Sequence, residues 1–101
     1  PDASEVTVVA GGNGQGSANN QFDSPYGIAV DSSWIIYIAD MSNNRIMKWT
    51  PGATVGTRVA GGNKGTGLNQ LNRPFGIDVD SSGNIYVSDS ENHRVIKIIK
   101  N

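Results

Sequence analysis

The sequence contains no cysteine, which excludes a disulfide framework and a thiolate metal site. No membrane-spanning helix is expected, because the longest apolar run, 34–39, is far shorter than the roughly 20 residues such a helix needs. Eight basic and nine acidic side chains leave a net charge of −1, without the excess of positive charge typical of nucleic-acid binders. Nothing resembles a signal peptide, so we expect a soluble chain of undetermined compartment.

The main feature that is present is a repeat. Residues 24–48 recur as 73–97 with an offset of 49, and the segments before Asn63 recur with an offset of 50. We therefore place one unit at residues 1–50 and a second at 51–101. Short β-branched runs bounded by Gly, Asn, Asp and Ser predict the following strands: 6–10, 27–30, 36–39, 45–49, 57–60, 76–79, 85–88 and 94–99. Four antiparallel strands in a period near 50 are typical of a β-propeller blade.

The predicted strands are apolar on both faces, as expected for blades packed between neighbours. Ile28 and Val30 point to one side and Ala29 to the other. One turn differs between the units, because Trp34-Ile35 stands where the second unit has Gly83-Asn84. Since a tryptophan tolerates positive φ poorly, we expect the first hairpin to turn differently.

Both units resemble NHL repeats. The resemblance rests on a Pro-x-Gly run, an Ile-Tyr run ending in Asp, and an Asn-x-Arg run, at 25–31, 36–40 and 43–46, and again at 74–80, 85–89 and 92–95. Arg94 stands where the family's name would put leucine. The resemblance implies an all-β, six-bladed β-propeller, with two four-stranded antiparallel blades from each chain.

The family's strand order predicts self-assembly, because it makes the Val-Ala-Gly-Gly run the outermost strand of the preceding blade. The chain would then begin on an outermost strand and end on a blade that lacks one, leaving open edges and apolar faces. We predict a C3 homotrimer with a strand swap, in which an inter-chain closure strand completes a neighbour's blade: Val6, Thr7, Val8, Val9 and Ala10. Two or four chains, with four or eight blades, are alternatives, as is a chain that is an excised or engineered fragment of a longer propeller.

Two acid–base pairs recur at the hairpin corners, Asp40 with Arg45 and Asp89 with Arg94. Because a catalytic constellation is normally needed once, recurrence in both units favours structural braces. The single histidine, His93, would lie far from its symmetry copies, so we predict neither a metal site nor a cofactor.

The predicted function is a non-enzymatic, self-assembling propeller scaffold that could also bind a protein or peptide on its loop rim, formed by loops 11–16 and 61–67. The resemblance places the Pro-x-Gly strands at a central channel, so the candidate ligand-binding residues at the channel mouth are Tyr26, Arg73, Phe75 and Asp78. Two alternatives stay open: an RNA-binding NHL domain, and a lyase or lactonase-like enzyme with a channel metal. The near-neutral charge disfavours the first, and the shortage of metal ligands disfavours the second.

Overall fold

A computed structural model describes residues 6–100 of the chain. These residues form seven strands: β1 (Pro25–Val30), β2 (Ile36–Asp40), β3 (Arg45–Trp49), β4 (Thr57–Gly61), β5 (Pro74–Val79), β6 (Ile85–Asp89) and β7 (Arg94–Ile98). Two single-turn 3-10 helices, Met41–Asn43 and Ser90–Asn92, link β2 to β3 and β6 to β7. Within residues 6–100 no helix is both long and apolar enough to cross a membrane.

The strands form two antiparallel sheets, one with the order β1-β2-β3-β4 and one with the order β5-β6-β7. The fold is therefore all-β, as predicted. Both sheets are meanders with matching register: Ile28 pairs with Ile38 in the first, and Ile77 pairs with Val87 in the second. Strand β4 belongs to the second sequence unit but pairs with β3, so it completes the first sheet. The boundary between sheets thus falls after β4.

The core lies between the two sheets. Tyr37, Ala39 and Ile46 of the first sheet pack with Ile85 and Val87 of the second, and all are at most 6% exposed. Because side chains alternate along a strand, these residues define one face of the first sheet. Burial of each large apolar side chain contributes about 1.5–3 kcal/mol, so this contact is the main source of stability for the pair.

Residues 6–10 were predicted to form a strand, but they form none within this chain. They are largely exposed, with Val6, Val8 and Val9 at 92%, 71% and 61%. A strand requires a neighbouring strand to complete its hydrogen bonds, and the described part of the chain offers none at this position. The pairing of this segment with another chain stays a prediction.

The two hairpin turns that join β1 to β2 and β5 to β6 have the same conformation, so the prediction of a different first turn was wrong. Trp34 adopts φ of 65°, close to the 85° of Gly83. The N–H of each donates to the carbonyl of the turn aspartate, Asp31 or Asp80, at 3.0 Å. The tryptophan is held there although the left-handed region costs a non-glycine residue about 1–2 kcal/mol.

The turn aspartates explain why the conformation survives the substitution. In each turn the aspartate Oδ1 accepts the backbone N–H groups two and four residues later, at 2.9–3.0 Å. The N–H of Asn84 is the largest influence on Asp80 and holds its pKa below 3.8. Burial would raise the pKa of Asp31, but the N–H groups of Ile35 and Ser33 and the Tyr37 hydroxyl outweigh it and lower that pKa. Each turn is therefore fixed by its ionised aspartate.

Candidate functional site

The inner strands β1 and β5 approach each other closely at Gly27. A β-carbon at this position would lie 3.2 Å from the Cα of Gly76 and would overlap the carbonyl oxygen of Phe75. Only glycine permits this approach of one backbone to the other. The Pro-x-Gly run of the sequence therefore serves contact between the sheets.

This approach brings two of the predicted channel-mouth residues together. The rings of Tyr26 and Phe75 stack with their centroids 3.8 Å apart and an angle of 28° between planes. Both rings are exposed, at 61% and 42%. The pair forms a flat aromatic surface at the start of the inner strands, with faces suited to apolar, planar or cationic groups.

The other two predicted residues lie near this surface without joining it. Arg73 is exposed, adopts φ of 56°, and donates its backbone N–H to Oδ1 of Asn44 at 2.8 Å. Asp78 is exposed on β5, and its Oδ1 accepts the N–H of the adjacent Val79 at 2.9 Å. Within residues 6–100 no hydrogen bond or ion pair joins these two side chains to each other or to the aromatic pair. The described part of one chain thus provides the aromatic pair, with Arg73 just before β5 and Asp78 on β5 as separate exposed charges.

The first hairpin corner holds a buried ion pair. Nε of Arg45 lies 2.7 Å from Oδ2 of Asp40, and the two residues are 6% and 0% exposed. The Arg45 guanidinium also donates to the carbonyls of Ser17, Ala18 and Gln21 at 2.9–3.1 Å. The pair therefore fastens the loop before β1 to the corner between β2 and β3.

The second corner repeats the arrangement. Arg94 lies 2.8 Å from Asp89 and donates to the carbonyls of residues 66, 67 and 70. Burial would raise the pKa of Asp89, but hydrogen bonds from the Asn72 N–H, the Asn92 amide and Arg94 outweigh it, so the pKa lies below 3.8. A carboxylate held ionised and surrounded by donors is poorly suited to accept a proton from a substrate.

The sequence interpretation included the asparagines of the Asn-x-Arg runs in the resemblance but missed their role in these corners. The amide of Asn43 donates to Asp40 at 2.8 Å and to the Gly16 carbonyl at 2.9 Å, and Asn92 does the same for Asp89 and Gly65. The sequence signal for this role was that both repeats carry asparagine at the same position.

His93 lies outside these networks. It is exposed, follows the second 3-10 helix with φ of 53°, and donates its backbone N–H to the Ser90 carbonyl. Among residues 6–100 no group of three or more His, Asp or Glu side chains is placed to hold a metal ion.

Two antiparallel sheets stacked face to face, each with its first strand beside that of the other, define an all-β repeat protein of propeller-like construction. The family model of the NHL repeat matches residues 71–98, within the second unit. The resemblance drawn from the sequence is thereby confirmed for the second unit, and the first unit carries the same Pro-x-Gly, Ile-Tyr and Asn-x-Arg runs.

The chain is also similar to a solved structure, described as an auxiliary nutrient binding protein from Bacteroides thetaiotaomicron VPI-5482. The TM-score is 0.73 at 24% identity over 90% of this chain, so the likeness concerns the fold. This chain spans only 28% of the length of that protein. Comparison with curated proteins finds no match.

Proposed function

We propose that this chain is a non-enzymatic propeller module that assembles with copies of itself, three chains supplying six blades, and binds a partner at the channel mouth or the loop rim. The observation that carries the proposal is a correspondence between surfaces. The two outward faces of the sheets are the repeat counterparts of the two faces that pack against each other within the chain.

The outward face of the second sheet corresponds to the buried face of the first. Tyr86 and Val95 are the counterparts of Tyr37 and Ile46 at the offset of 49. The outward residues are 36% and 70% exposed, whereas their counterparts are 6% and 0% exposed. A second copy seated on this face would bury it as the second sheet buries the first.

The outward face of the first sheet has the complementary relation. Ile28 and Val30 are 61% and 44% exposed, and their counterparts Ile77 and Val79 pack against the core between the sheets. Each copy therefore exposes two surfaces that match the two surfaces its own sheets use to pack against each other. Such a head-to-tail contact forms a ring when its rotation closes.

The strand edges support the same assembly. Within the described residues β7 pairs only with β6, whereas its counterpart β3 pairs with both β2 and β4. The counterpart of β4 in the first unit is the segment 7–11, in which Thr7 and Ala10 match Thr57 and Ala60. We propose that residues 6–10 of one copy pair with β7 of the next, which would satisfy an otherwise open edge.

Two further observations support a binding role without catalysis. The hairpin-corner carboxylates are occupied by arginine, asparagine and backbone donors, and both corners recur, which suits structural braces. Three copies would carry three stacked Tyr26–Phe75 pairs around one channel mouth. The nutrient-binding description of the structural neighbour agrees with a binding module.

Sedimentation velocity or light scattering after size exclusion tests the assembly at micromolar concentration. We expect about 32 kDa, three times the 10.7 kDa chain. A species of two or four chains would retain self-association but contradict six blades. A compact 10.7 kDa species would overturn the proposal.

A further inference from the structure

A polar cavity of about 560 Å³ lies at the outer side of the first sheet. Its walls come from the loop at Ser17 and Asn19, the corner before β3, and strand β4. The loop and β4 are joined by a hydrogen bond of 2.8 Å from the Gly56 N–H to the Asn19 carbonyl. The lining residues named here all come from a single chain.

The two repeats differ at this cavity, and each differing residue is more polar or smaller than its counterpart. Four lining residues are identical in the other repeat: Asn43, Arg45, Thr57 and Gly62 match Asn92, Arg94, Thr7 and Gly12. Three others are polar or small only here: Asn19, Gly56 and Arg58 stand where the other repeat has Leu68, Val6 and Val8. Because the three differences cluster on the walls of one cavity, they indicate a role specific to it.

Within the described part of the chain, one positive charge at the cavity has no partner. Asp40 neutralises Arg45 at 2.7 Å, but Arg58 forms no hydrogen bond or ion pair within residues 6–100. Among residues 6–100, no acidic residue lines the cavity. The Arg58 guanidinium lies over Gly62, where a β-carbon would overlap it. The glycine therefore leaves room for this side chain against the wall.

Arg45 adds a spare hydrogen-bond donor. An arginine has five N–H groups, and four of those of Arg45 are used, by Asp40 and by three backbone carbonyls. One Nη1 hydrogen is left on a side chain that is 6% exposed and lines the cavity. The hydroxyls of Ser17 and Thr57 and the amide of Asn19 line the same space.

We propose that this cavity binds a small polyhydroxylated molecule that carries a phosphate or carboxylate group. Arg58 binds the oxyanion, since a guanidinium matches two oxygens of such a group at once. The free Arg45 N–H and the hydroxyl and amide side chains hydrogen-bond the rest. A volume of about 560 Å³ exceeds what an inorganic anion fills and lies within the usual range of ligand sites.

Titrations monitored by ¹⁵N–¹H NMR test the proposal with four probes: glucose 6-phosphate, gluconate, inorganic phosphate and glucose. We expect saturable shifts at the amides of Thr57 and Gly62, with glucose 6-phosphate or gluconate binding more tightly than phosphate and glucose failing to bind. The comparison of glucose 6-phosphate with gluconate decides whether the cavity prefers a phosphate or a carboxylate group. Equal binding of glucose, or shifts confined to other residues, would overturn the proposal.

Matched variants replace a residue by its counterpart in the other repeat. Arg58→Val should weaken binding at least about tenfold, the value of one charge-assisted contact. Lys64→Gln removes the same charge outside the cavity and should leave affinity within about twofold. Asn19→Leu provides a second test through the loop wall and should also weaken binding. Unchanged affinity in both Arg58→Val and Asn19→Leu, with the far-UV spectrum preserved, would contradict the assignment.

Discussion

Val95→Asp separates the stability of one chain from the stability of the proposed ring. Val95 is 70% exposed on β7, so an aspartate there should cost a single chain less than about 1 kcal/mol. In the ring this position would be buried like its counterpart Ile46, which is 0% exposed. The substitution should therefore leave the fold intact and act on assembly.

The expected magnitude follows from the two exposures. Burying a valine from 70% exposure contributes about 1–2 kcal/mol, because full burial contributes about 1.5–3 kcal/mol. An aspartate without a partner in the same place costs at least about 3 kcal/mol more. A loss of about 4 kcal/mol weakens each contact roughly a thousandfold. Three such contacts close one ring, so dissociation at micromolar concentration is expected.

Sedimentation velocity measures the outcome, and far-UV circular dichroism verifies that the chain is folded. Val95→Ile installs the residue of the first repeat and should keep the assembled mass. Ile46→Asp places the same charge at the internal contact and should unfold the chain. If Val95→Asp sediments as the wild type does, at about 32 kDa, this face does not take part in assembly, and the repeat correspondence fails as a guide to the interface.

The Trp34→Gly variant should have an unfolding free energy on the order of 1 kcal/mol higher than that of the Trp34→Ala variant. Both substitutions remove an indole that is 75% exposed, but only glycine adopts φ of 65° freely. Equal urea midpoints would contradict that strain. Arg45→Met should destabilise the chain by about 3–5 kcal/mol in urea, since it leaves the Asp40 carboxylate buried without its cation. A loss of unfolding free energy smaller than that of a typical surface substitution would show that Arg45 is not a structural brace. The pKa of Asp89 is lower in the folded chain than the 3.8 of the unfolded one, so its contribution is complete above that value and is lost as the pH falls through the folded pKa. Urea midpoints measured between pH 6 and pH 2 should therefore decline only at the acidic end of that range. A midpoint that does not change with pH would contradict a contribution of ionised Asp89 to stability.

Local patterns were sufficient to predict much of the fold. Alternation and β-branching marked the seven strands, the offset of 49 showed that corners such as Asp40–Arg45 recur, and the combined runs indicated the NHL repeat. Each strand and each run is a short local segment, in which backbone propensity and turn chemistry dominate, and the repeat shows the same segments twice.

Other features depend on residues far apart in the chain. The stacking of Tyr26 on Phe75 requires two strands that are 49 residues apart to meet at Gly27. The amide of Asn43 bonds the Gly16 carbonyl, 27 residues earlier in the chain, and only the folded loop provides that contact. The cavity at Arg58 likewise needs the early loop folded against β4.

The amino-acid pattern alone was enough to predict the repeat, the seven observed strands and the NHL repeat of the second unit, because each strand and motif depends on residues close together in the chain. The folded structure showed that Trp34 accepts the glycine conformation, since hydrogen bonds to Asp31 within the turn hold it against its preference. It also decided which apolar faces are covered and which are exposed. Burial depends on where the two sheets lie in space. The alternation of side chains along a strand defines two faces, but it does not determine what packs against either face.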